Sequence, residues 1–161
     1  MTILYTLGVI EPVSIWFLIF IYAVGSGLQD LRTRKIKNQW NYAWFVLFVG
    51  FHIFTHTWIP SLVGSIVMLA VMFYPTYKGT WGVGDWKMSI VFGSAVGVLP
   101  TLIILLAGWR MMPLLKPRIY RLSLRYMPED KARLIPLASL MSVSTALTSV
   151  IAVILQTQVI R

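Results

Sequence analysis

The sequence predicts an all-α integral membrane protein, a bundle of six transmembrane helices with both termini outside. Of its 161 residues 58% are hydrophobic and only 12% charged, about half the charged fraction of an ordinary soluble domain. The apolar residues come in long blocks rather than in alternating or amphipathic patterns, as membrane-spanning helices require. With a formal net charge of +9, the chain gathers its basic residues, apart from Arg161, in three stretches between those blocks. Cytoplasmic loops of multi-pass membrane proteins carry such an excess, so the charge needs no nucleic acid to explain it. A single transmembrane domain over residues 1–161 is the expected organisation. The chain has no cysteine, which excludes disulfides, thiolate zinc sites and cysteine nucleophiles.

The first span is expected from about Val13 to Leu28, with Glu11-Pro12 marking its outer boundary. The dozen residues "MTILYTLGVIEP" hold no Lys or Arg, unlike the start of a secretory signal peptide. A charged loop, "QDLRTRKIKNQ" at 29–39, follows, and no further charge appears until Lys78. That interval is long enough for two crossings at about 20 residues each. Trp58, Pro60 and the two histidines mark the turn between them, and Trp40, Tyr42, Tyr74 and Tyr77 suit interfacial belts. His52 and His56 are spaced to share a helical face, but no third ligand stands nearby. They read as polar residues near a membrane surface rather than as a metal site.

A second polar loop, "YKGTWGVGDWK", occupies 77–87. The apolar stretch 88–109 has the length of one span, yet one crossing would split the basic loops between the two sides. Arg110, Lys116, Arg118, Arg121, Arg125, Lys131 and Arg133 would then lie opposite the earlier ones. Keeping them on one side requires two short helices, about Trp86–Gly97 and about Leu99–Leu115, with Pro100 near the turn. In the third basic loop Arg118, Arg121 and Arg125 share a helical face beside Ile119, Leu122 and Tyr126. That pattern fits either a short helix on an anionic membrane surface or a solvated basic loop. The last span is expected from Leu134 to Leu155, where Ala138, Ser142 and Ala146 recur at a spacing that permits close helix approach.

The acidic residues are Glu11, Asp30, Asp85, Glu129 and Asp130. Glu129 and Asp130 follow Pro128, where acids suit the first turn of a helix. Asp30 closes the first span and Asp85 opens the fourth, which places both at the cytoplasmic membrane boundary. Each follows glycines, in "GSGLQD" and "GVGD", and a residue without Cβ leaves room for an extended peptide beside the acid. Two converging carboxylates cannot both ionise easily. The charged one can then take a proton from water while the protonated one polarises a peptide carbonyl. The plainer reading is that each acid pairs with a neighbouring Lys or Arg. Lys87, two positions beyond Asp85, points to the other side of a helix and reads as an anchor reaching for the interface.

At these residues the chain resembles the type IV prepilin peptidases, a family of membrane aspartic proteases. "GVGDWK", Gly82 to Lys87, is similar to the family's G-x-G-D-x-K motif, here carrying Gly82, Gly84, Asp85 and Lys87. "DLRTRKIKN" resembles its D…I-P-N segment, with Asp30, Ile36 and Asn38 in place and Lys37 where proline is usual. "LIPLAS" resembles the I-P-[YF]-x-P run before the final helix; Pro136 matches and Ser139 stands in place of the second proline.

The resemblance, which covers about residues 13–155, implies Asp30 and Asp85 as the catalytic pair. Gly82, Gly84, Lys87 and Asn38 would then shape the site or bind substrate, and no cofactor or metal is implied. Prepilin or pseudopilin precursors with a basic leader and a hydrophobic N-terminal helix are the implied substrates, cut at the cytoplasmic face of a bacterial inner membrane. Anionic lipids are expected partners and nucleic acid is not. Without cysteines the chain resembles the short forms, expected to cleave without N-methylating.

Other readings compete. An archaeal preflagellin peptidase shares the same pattern. Presenilin-like proteases should bury both acids deep in apolar helices, which Asp30 beside "LRTRKIKN" does not fit. A small transporter or pilus-assembly scaffold could use the acids to bind ions or basic partners, but would be expected to show inverted repeats. Cysteines introduced as Arg110→Cys and Arg121→Cys are expected to label from the cytoplasmic side; labelling from outside would replace six crossings by five.

Overall fold

A computed structural model describes residues 12–79, 81–126 and 137–159, and all the regular structure among them is helical. The helices are α1 (Val13–Thr33), α2 (Asn38–Phe54), α3 (Trp58–Tyr77), α4 (Val83–Val96), α5 (Val98–Ser123) and α6 (Leu137–Val159). Three of them, α1, α3 and α5, are long and apolar enough to cross a membrane, and α6 contributes the shorter apolar stretch Ala138–Ile154. The helix-start reading of Glu129 and Asp130, the outer-boundary residue Glu11 and the Pro136 match lie outside the described residues.

The expected break between the fourth and fifth helices is present, at Gly97. Its φ of 74° and ψ of −170° fall where only glycine rests without strain. Pro100 lies in the first turn of α5, where its missing N–H costs no helical bond. Other boundaries differ from expectation. α1 does not stop at Leu28 but runs to Thr33, so Asp30 lies inside the helix and the charged loop shrinks to residues 34–37. Charge alone does not end a helix, and residues 29–33 contain neither Gly nor Pro. Likewise α5 passes Leu115 and reaches Ser123 with Pro113 and Pro117 inside it, so Arg110, Lys116, Arg118 and Arg121 are helical. The last helix is described over Leu137–Val159, and its expected start at Leu134 lies outside the described residues.

The chain divides into two compact units, Met1–Ile15 with Lys37–Ile103, and Trp16–Ile36 with Ile104–Arg161. In the first, α4 packs against α3 and more lightly against α2. Residues 91–96 of α4 are buried without interruption, the pattern of a helix enclosed by protein rather than facing solvent or lipid. With 14 residues it rises only about 21 Å. The α3–α4 seam is nearly backbone on backbone. A Cβ at Gly64 would collide with the Gly93 carbonyl, and one at Gly93 would collide with that of Gly64. Ser61 Oγ donates to the Ser94 carbonyl at 2.7 Å across the same seam.

On α3 the buried stripe is Ser61, Gly64, Ser65, Met68 and Met72, while Ile66 is 64% and Phe73 54% exposed. Small and polar residues inside with large apolar ones outside is the arrangement of helices whose surroundings are themselves apolar. His52 is buried on α2; its Nε2–H donates to the Ala95 carbonyl at 3.0 Å and its Nδ1 accepts from the Thr57 hydroxyl at 2.8 Å. His56 falls in the turn with φ of 57°, so the two histidines do not share a helical face as their spacing suggested.

In the second unit α6 touches α1 through small residues. A Cβ at Gly27 would collide with the Ser142 side chain, and the Ser142 hydroxyl donates to the Ala23 carbonyl. This realises the close approach expected from the small-residue spacing of the last helix. At the far end of α5, Ser123 Oγ accepts from Arg34 Nη2 at 2.9 Å while donating to the Ile119 carbonyl at 2.8 Å. Buried Ile19, Tyr22, Ile104, Leu140 and Met141 form the apolar interior of this unit.

Replacing Gly64 with alanine is expected to destabilise the protein by about 2 kcal/mol, because one methyl must displace a backbone carbonyl. Thermal unfolding in detergent measures this; an unchanged midpoint would show the seam to be looser than described.

Candidate active site

Asp30 is the one buried acid among the described residues, 8% exposed near the C-terminal end of α1. A carboxylate removed from water needs donors in place of its hydration, and α6 supplies them. The Ser139 N–H donates to Asp30 Oδ2 at 3.2 Å and the Ser139 hydroxyl at 3.0 Å. Ser139 is the third described residue of α6, and its N–H is turned to the acid. Arg34 follows α1 with φ of 55° and turns its guanidinium back, Nη1 lying 3.9 Å from the same Oδ2. That separation makes a loose ion pair; the Ser139 contacts are the shorter ones. Gly27, one turn before Asp30, makes room for Ser142 of α6, not for an extended peptide as its position in "GSGLQD" suggested.

Asp85 is the third residue of α4, half-buried, in the turn where the helix dipole favours negative charge. Its Oδ2 accepts from the Gly82 N–H at 3.3 Å, so the carboxylate folds back over the helix start. Gly82 is extended, with φ −76° and ψ 149°, which any residue can adopt. A Cβ there would sit 3.0 Å from Asp85 Oδ2, so the carboxylate would have to give by a few tenths of an ångström. Gly84 is the helical residue between Val83 and Asp85, so "GVGD" forms a helix start rather than a loop.

Lys87 does not reach out as a free interfacial anchor. Its Nζ donates to Asn38 Oδ1 at 2.8 Å, and Asn38 is the first residue of α2. Two of the predicted site residues, far apart in sequence, thus meet and join the starts of α2 and α4. Between Asp85 and Lys87, Trp86 Nε1 donates to the Leu69 carbonyl of α3 at 3.0 Å, and its ring meets Phe73 edge-on at 6.0 Å. The motif turn is therefore fastened to α3 on one side and to α2 on the other.

Of the predicted residues, Gly82, Gly84, Asp85, Lys87 and Asn38 lie in the first compact unit and Asp30 in the second. Sequence reasoning did not single out Arg34 or Ser139 as partners of Asp30. Arg34 is four residues beyond Asp30, a helical spacing hidden once those residues were read as loop. Ser139 had drawn notice only as a replacement for proline.

A family model described as the type IV leader peptidase family matches residues 13–115. No curated protein and no solved structure is a match to the chain.

The Lys87–Asn38 contact is open to a double-mutant cycle. Lys87→Met and Asn38→Ala are each expected to cost about 0.5–1 kcal/mol of stability, and the double variant no more than either alone. Additive losses in detergent unfolding would show that the two side chains act separately.

Proposed function

The chain belongs to the type IV leader peptidase family, and we propose that it is a membrane-embedded aspartic endopeptidase. In this reading Asp30 and Asp85 form the catalytic pair and the substrates are prepilin or pseudopilin precursors. The observation that carries it is that the matched span, residues 13–115, contains two acids each held by backbone N–H groups, from Ser139 and from Gly82. Acids anchored in this way keep a fixed orientation, which catalysis by proton transfer needs.

The chemistry follows from two carboxyl groups sharing one proton. The ionised group removes a proton from water as the oxygen attacks the scissile carbonyl carbon. The protonated group donates to the carbonyl oxygen as that oxygen becomes charged. Collapse of the tetrahedral intermediate breaks the C–N bond, and the departing amine receives a proton from the dyad. Neither metal nor thiol is needed.

Six crossings with the basic segments on the cytoplasmic face of a bacterial inner membrane fit this chemistry, because a leader is basic and is met before the hydrophobic helix that follows it. The end of α5 supports such an orientation: Arg118 and Arg121 are helical beside half-exposed Leu122, a combination that suits anionic headgroups above apolar chains. The Lys87–Asn38 bridge, with Gly82 and Gly84, shapes the start of α4 around Asp85.

Asp30→Asn and Asp85→Asn are each expected to abolish leader removal while leaving the protein folded in the membrane. The measurement is co-expression with candidate small pilins, read as precursor size on a gel; normal processing by either variant would overturn the dyad.

A further inference from the structure

Asp30 is held asymmetrically. Among the described residues, every hydrogen bond and ion pair of its carboxylate falls on Oδ2: the Ser139 N–H, the Ser139 hydroxyl and Arg34 Nη1. The hydroxyl also has a second acceptor within reach, the Gly27 carbonyl at 3.2 Å. A serine hydroxyl has one proton to give, and with Asp30 ionised it donates to Oδ2. When the proton of the catalytic cycle sits on Oδ1, Oδ2 is the carbonyl oxygen of the acid and still accepts from the Ser139 N–H and hydroxyl.

We infer that Ser139 is a positioning residue for the proposed reaction: it pins Oδ2 of Asp30, leaves Oδ1 outside these contacts as the oxygen that exchanges the proton, and keeps its donors on Oδ2 in both charge states of the cycle. A proline at this position would supply neither donor, so the device belongs to this chain's own residues rather than to the proline-containing pattern that it resembles.

The inference rests on Asp30 being catalytic, and the experiment separates the two claims. Cleavage of a pilin precursor is followed in detergent or liposomes for the full-length wild type, Ser139→Ala, Ser139→Thr, Ser139→Pro and Asp30→Asn, each with its thermal midpoint. Ser139→Ala keeps the N–H and loses the hydroxyl; it is expected to lower kcat about tenfold with KM within twofold, as a slightly misaimed group does. Ser139→Pro loses both donors and should fall further, while Ser139→Thr restores kcat. A purely structural serine would instead lower the midpoint and the yield of folded enzyme and leave kcat per folded molecule unchanged.

Wild-type kcat in Ser139→Ala and Ser139→Pro overturns the inference, as does an equal loss in the alanine and threonine variants. Should Asp30→Asn itself cleave normally, the dyad reading fails first, and the serine has no catalytic acid to position.

Discussion

A buried carboxylate near the charged end of α1 is the constraint from which much of this structure follows. Asp30 near the end of α1 is 8% exposed, and leaving such a group without partners would cost several kcal/mol. The surroundings answer with donors from a different helix, the N–H and hydroxyl of Ser139, and with the guanidinium of Arg34. To bring Ser139 that near, α6 must lie close against α1, and Gly27 is the residue that lets it. The acid, the glycine one turn before it and the serine on α6 form one arrangement; changing any of them disturbs the others.

The two units solve helix packing in the same way. Where surroundings are apolar, burying large apolar side chains gains little over leaving them in lipid, so helices associate by close approach and interhelical hydrogen bonds. Gly64 and Gly93 bring α3 onto α4, and Ser61 reaches the Ser94 carbonyl across that seam. Gly27 and Ser142 do the corresponding work between α1 and α6. Phe73 is left largely exposed on the outside of α3 and yet serves the site, because its ring steadies Trp86 next to Asp85. Packing and the candidate site thus share residues.

The helical class and the turn between α2 and α3 were legible from local chemistry, apolar runs and a cluster of polar and aromatic residues, whereas the break at Gly97 was legible from the distribution of basic residues along the chain. Boundaries were less legible. Asp30, Arg32 and Pro117 looked like loop residues, but charge and proline weaken a helix by amounts that tertiary contacts and flanking turns can offset. The histidines were read as marking the turn between α2 and α3, and His56 does lie in it; only the shared helical face that their spacing allowed is absent.

The sequence by itself determined the family and singled out the two acids and the residues around Asp85 as candidates, since a motif is a local string and its spacing survives without knowledge of the fold. Only the tertiary structure decided what each acid touches. Gly82 faces Asp85, Lys87 reaches Asn38, and Ser139 holds Asp30. The last two pairs are far apart in the chain, and hydrogen bonds fix distance and direction in space, neither of which a one-dimensional spacing encodes. That is why Ser139 reads in the sequence as a missing proline and in the structure as a donor to an acid.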